Sequence, residues 1–122
     1  MKAAIVNPDI DSEFYTSEKC HVVELSNTED DPDVSIARIR VEPGVTTQWH
    51  CLKTPYERYY MLEGRGRVEV GELPPQDVVP GDVVLIPPMC RQRITNTGSE
   101  DLLLLAICSP RFVVDDYLAL EH

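Results

Sequence analysis

Short β-prone runs recur along this chain at close, regular intervals, and proline- and glycine-rich turns separate them. Cys20–Leu25, Val34–Glu42, Val45–Leu52, Glu57–Leu62, Arg67–Gly71, Val83–Ile86, Arg91–Asn96 and Leu102–Cys108 are each rich in valine, isoleucine, leucine, threonine or tyrosine. Between them stand Pro43-Gly44, Gly64-Arg65-Gly66, Pro74-Pro75, Pro80-Gly81 and Pro87-Pro88. Proline fixes φ near −65° and removes a donor, and glycine accepts the positive φ that tight turns require. About ten short strands with such punctuation predict an all-β sandwich or barrel. Nothing has the period of a long amphipathic helix.

The 122 residues suit one domain with a real core. A net charge of −10 without a basic block argues against nucleic acid and anionic membranes, which both call for clustered lysine and arginine. No apolar run approaches the roughly 18 residues of a membrane helix. The run Ala3–Val6 is too short for a secretory signal, so a cytoplasmic location is expected. Cys20, Cys51, Cys90 and Cys108 are far apart and lack metal-knuckle spacing, and they read as reduced thiols. Residues 1–119 are taken as the domain. Residues 120–122 resemble the start of a vector-encoded tag, and His122 is set aside.

Strand side chains alternate between faces. Gln48, His50 and Leu52 therefore share a face, as do Glu57, Tyr59 and Met61, and likewise Gln92 and Ile94. Pairing of Val45–Leu52 with Glu57–Leu62 through the Lys53–Tyr56 turn would aim His50 and Glu57 into one interior. Glu63–Gly66 reads as a second hairpin turn, Val83–Ile86 as a buried strand, and Leu102–Cys108 as a strand apolar on both faces. Arg38 and Arg40 share a strand face. They suit either a pocket wall that grips a carboxylate bidentately or a solvated surface.

The spacing of these residues resembles the cupin superfamily, small single-domain bacterial cupins in particular. Gly44, five residues, His50-Cys51-Leu52, four residues, Glu57, six residues and Gly64 follow the first cupin motif. Gly81, five residues, Pro87-Pro88-Met89, two residues, Gln92, three residues and Asn96 follow the second. The resemblance implies a double-stranded β-helix, the jelly-roll barrel of the cupin type. It also implies a divalent metal (Mn, Fe, Ni or Zn) held by His50, Glu57 and Gln92, with Leu52 and Gln92 standing where the family carries two further histidines. Glu57 would be ligand or catalytic base, and Gln48, Leu52, Tyr59, Met61, Arg38 and Ile94 would line the pocket.

Two functions stay open on these residues. One is a metal-dependent enzyme of the dioxygenase, isomerase or lyase class acting on a small organic substrate. The other is a metal-free domain that binds a sugar or organic acid, with His50, Glu57 and Gln92 joined in a hydrogen-bond network. The resemblance further implies a homodimer, often formed by exchange of an N-terminal strand, which Ala3–Val6 and Leu102–Cys108 would serve.

Overall fold

The structure, a computed structural model, describes residues 1–121. His122, assigned above to a tag, lies outside them. Eleven antiparallel strands form two sheets. They are β1 Phe14–Tyr15, β2 His21–Ser26, β3 Ser35–Val41, β4 His50–Leu52, β5 Tyr56–Glu63, β6 Gly66–Val70, β7 Gln76–Val78, β8 Val83–Ile86, β9 Gln92–Asn96, β10 Leu102–Ser109 and β11 Tyr117–Ala119. The first sheet runs β1-β2-β3-β10-β5-β8 and the second β11-β4-β9-β6-β7. β10 thus sits between β3 and β5, and the wide crossovers that bring it there make the jelly-roll barrel. Among the described residues no helix is long and apolar enough to cross a membrane.

Two expected hairpins are not hairpins. β4 pairs with β9 and β11, whereas β5 pairs with β8 and β10. The Lys53–Pro55 link therefore carries the chain from one sheet to the other. The Gly64-Arg65 bend does the same between β5 and β6. Gly64 has φ 86°, and a Cβ there would lie 2.8 Å from the Asp101 carbonyl oxygen. Only glycine allows so close an approach to the start of β10.

Alternation fills the interior. Inward residues of β10 (Leu102, Leu104, Ala106, Cys108) are buried, and Leu103, Leu105 and Ile107 on the outer face are half-buried. Met61, Ile94, Val41 and Val68 complete the packed part of the core. β8 departs from expectation. It is an edge strand whose Val83 and Leu85 are exposed, while Ile86 is buried. A short apolar run cannot by itself report how many of its faces are covered. Residues 1–9 form an exposed arm without regular structure, ended by a short 3₁₀ turn at Ile10–Ser12. Glu13 ties that arm to the outer face of the first sheet through Arg38 at 3.0 Å and Arg40 at 2.6 Å.

Candidate functional site

Between β2, β3, β4, β5 and β10 the sheets stand apart and enclose a cavity of about 470 Å³. That size and its mostly aliphatic and aromatic wall suit a small organic molecule. Buried His50, Glu57, Tyr59 and Cys108 lie on its inner wall, and the exposed Phe14, Glu24 and Val114 belong to its rim.

The second sheet supplies His50 and Gln92, which are direct partners across the β4–β9 pair. The first sheet supplies Glu57 and Tyr59 from one face of β5. Gln92 donates its amide N–H to Glu57 Oε1 at 2.7 Å, and its carbonyl oxygen accepts the Tyr59 hydroxyl. All three are buried, with Gln92 at 1% exposure and outside the cavity lining. His50 Nδ1 lies 2.8 Å from the Gln48 carbonyl oxygen. A carbonyl only accepts, so Nδ1 carries the proton and Nε2 keeps its lone pair. The ring stacks on Tyr117 at 5.2 Å, which fixes its plane.

Burial dominates the electrostatics. It pushes the Glu57 carboxyl up to about 7, against the opposing pull of the Gln92 hydrogen bond and nearby His50. Glu18, half-buried in the same wall, is likewise pushed up to about 7 by burial, with Oε2 3.9 Å from His50 Nε2. Burial holds the Tyr59 hydroxyl and the Cys108 thiol well above their ordinary ranges, and raises Cys20 to about 12. These cysteines are free thiols rather than thiolates, which removes them as nucleophiles at neutral pH.

Leu52 and Ile94 line the cavity alongside His50, Glu57 and Tyr59. Three other expected residues stand elsewhere. Met61 is 1% exposed in the packed core. Arg38 is on the outer face of β3, bound to Glu13. Gln48 precedes the regular part of β4, and its amide turns to the C-terminal segment, donating to the Glu121 carbonyl oxygen at 2.6 Å. Extrapolating strict alternation to residues outside the strand misplaced it. Glu18 was not anticipated. It lies on an irregular turn, Thr16–Cys20, where Lys19 has φ 71°, and no periodicity marks such a position.

The Nδ1 hydrogen bond gives His50 the orientation a metal ligand needs, but Glu57 Oε1 accepts from Gln92 and Oε2 from the Cys108 thiol at 3.8 Å. Gln92, the third expected donor, has its carbonyl oxygen on Tyr59 and its N–H on Glu57. Among the described residues no three histidine, cysteine, aspartate or glutamate side chains are grouped to hold an ion. As arranged, these residues do not fit a three-ligand centre.

Residues 37–108 match the family model described as Cupin domain. An uncharacterized protein of Methanocaldococcus jannaschii is 34% identical over 87 residues, which cover 71% of this chain and 69% of that protein. Among solved structures, KdgF from Halomonas sp. superposes with a TM-score of 0.73 at 19% identity, covering 83% of this chain and 89% of that one. The nucleoside dehydratase Pac13 gives 0.78 at 15% identity, with 97% and 92% covered. The Lactobacillus farciminis oxalate decarboxylase gives 0.75 at 20%, with 94% of this chain but 33% of that one covered. At these identities the structures speak for the fold. With the sequence match spanning most of the barrel and the double-stranded β-helix topology in place, this chain belongs to the cupin family.

Proposed function

We propose that the barrel is an acid–base enzyme of the lyase or isomerase class acting on a small organic molecule, with His50 and Glu57 as its proton carriers. The observation that supports this most is their shared cavity. His50 Nε2 offers a lone pair, and Glu57 is a buried acid whose pKa of about 7 lets it hold or yield a proton near neutrality. A buried acid that titrates near neutrality and a basic nitrogen facing one volume are what proton abstraction with protonation of a leaving oxygen requires. In this reading His50 takes the proton from carbon. Glu57, oriented by Gln92, gives one to the departing or rearranging oxygen. A nucleoside dehydratase and an oxalate decarboxylase are built on the same barrel fold, which is compatible with this reading.

The test uses chelator-treated protein in D₂O with a panel of β-hydroxy and carbonyl compounds, followed by proton NMR. Exchange or elimination should appear without added metal and fall by roughly 100-fold or more in His50→Gln and in Glu57→Gln. Activity only after a divalent ion is returned, or variants as active as the parent, would contradict the reading. Binding without any turnover would return the barrel to a ligand-binding role.

We also infer that two copies pair through the outer face of the first sheet. Leu105, Tyr60 and Val83 stand in one row across β10, β5 and β8, with Tyr60 and Val83 exposed. A monomeric mass in light scattering at micromolar concentration would contradict the pairing.

A further inference from the structure

The cavity is charged in one sense only. Among the described residues its wall carries Glu18, Glu24 and Glu57 and no lysine or arginine. The nearby arginines are engaged elsewhere. Arg38 and Arg40 hold Glu13 on the outer face, Arg58 bonds Ser109 Oγ, and Arg111, itself outside the lining, is held by Oδ1 of the lining residue Asn27. A carboxylate or phosphate inside would meet acids and no counter-charge in a poorly solvated volume. The net charge of −10 works in the same direction, drawing cations and repelling anions.

A second, independent observation marks where a polar end belongs. His50 is 4% exposed, and its Nε2 faces the cavity without a hydrogen-bond partner, 3.9 Å from Glu18 Oε2. The His50 side chain is thus almost wholly buried while this nitrogen borders the cavity, where a ligand atom could reach it and Glu18 together.

The local backbone holds Glu18 there. Its carbonyl accepts the Gln48 N–H at 3.0 Å, its own N–H donates to Thr16 Oγ1 at 3.2 Å, and the Thr16 N–H donates to the Cys20 carbonyl at 2.9 Å. Lys19 takes a left-handed φ of 71° to complete the turn. A non-glycine residue in that region is uncommon and recurs where a side chain has to be aimed. Phe14 at the rim, Phe112 and Tyr117 supply aromatic rings to the lining, which suit an apolar body and tolerate a cation.

We propose that the ligand carries a basic nitrogen, protonated at neutral pH, that Glu18 receives while the apolar body lies against Phe14, Phe112 and Tyr117. This rests on the cavity being the ligand site and adds the ligand's charge.

Three probes with one ring and different charge test it by calorimetry: benzylamine, benzyl alcohol and benzoate. Benzylamine should bind roughly tenfold tighter than benzyl alcohol, the gain of one partly buried charge pair, and benzoate should not bind measurably. In Glu18→Gln the amine-to-alcohol ratio should fall toward unity. A wrong wild-type order overturns the proposal without any variant having to fold. Benzoate binding as tightly as benzylamine, an amine-to-alcohol ratio near one, no binding of any probe, or a ratio unchanged in Glu18→Gln overturns the proposal. A wrong order with His50-dependent proton exchange intact removes the ligand class and leaves the enzyme. The right order with no exchange removes the chemistry and leaves the ligand class.

Discussion

Gln92 donates its amide N–H to Glu57 across 2.7 Å and thereby joins the second sheet to the first at the cavity wall. The other end of the same amide accepts the Tyr59 hydroxyl. Gln92→Ala leaves two buried polar groups short of a partner, at a cost of roughly 1–3 kcal/mol. Urea unfolding should show that loss as a lower midpoint at unchanged slope. The Glu57 carboxyl should titrate higher in this variant, because the Gln92 bond opposes its upward shift. An unchanged midpoint would mean that the amide is not holding the sheets.

Stability should depend on pH in two opposed ways. Glu57 and Glu18 sit near 7 in the fold against an ordinary 4.5, so the folded chain retains protons the unfolded chain has released. That stabilisation is full below about 4.5 and is lost as pH rises through about 7. Glu13 runs the other way. The Arg40 and Arg38 hydrogen bonds hold it at about 2, so its contribution is full above 4.5 and lost as pH falls toward 2. Thermal midpoints should therefore peak near pH 4.5 and decline until about pH 7, and Glu57→Gln should flatten the decline.

Two glycines with similar dihedrals should differ in tolerance. Gly44 has φ 80° and open space around a would-be Cβ, so Gly44→Ala carries only the left-handed penalty of about 1–2 kcal/mol. Gly64 has φ 86° and the Asp101 backbone 2.8 Å away, so Gly64→Ala adds a clash that must displace β10. The second variant should lose clearly more in denaturant midpoint. Equal losses would contradict the close approach.

Trp49, the sole tryptophan, has the guanidinium groups of Arg93 and Arg91 over its ring at 4.3 and 5.0 Å. Arg93 also pairs with Glu69. Arg93→Ala should uncover the ring, move its emission to longer wavelength and cost about 1 kcal/mol. Ligand binding inside the barrel should not change, because this contact lies on the outer side.

The strand pattern and the motif spacing were enough to read the barrel and to bring His50, Glu57 and Gln92 to one neighbourhood. Which strands pair was not legible. A turn signal such as Glu63–Gly66 says that the chain reverses, and it reads the same whether the reversal stays in a sheet or crosses to the facing one. Gln48 was misplaced because alternation holds only inside a regular strand, and β4 begins at His50. The Arg38 position was ambiguous for a related reason: alternation says which residues share a face and leaves open which face is inside. Glu18 was invisible because its placement depends on a left-handed turn at a lysine, where composition offers no cue.

The account depends above all on Glu57 being an acid that exchanges its proton near neutrality inside a barrel without metal. Carboxyl-carbon NMR of chelator-treated protein, assigned with Glu57→Gln, measures this directly. The account predicts a Glu57 midpoint near 7. A midpoint near 4.5, or a stoichiometric ion still held through His50, would contradict it.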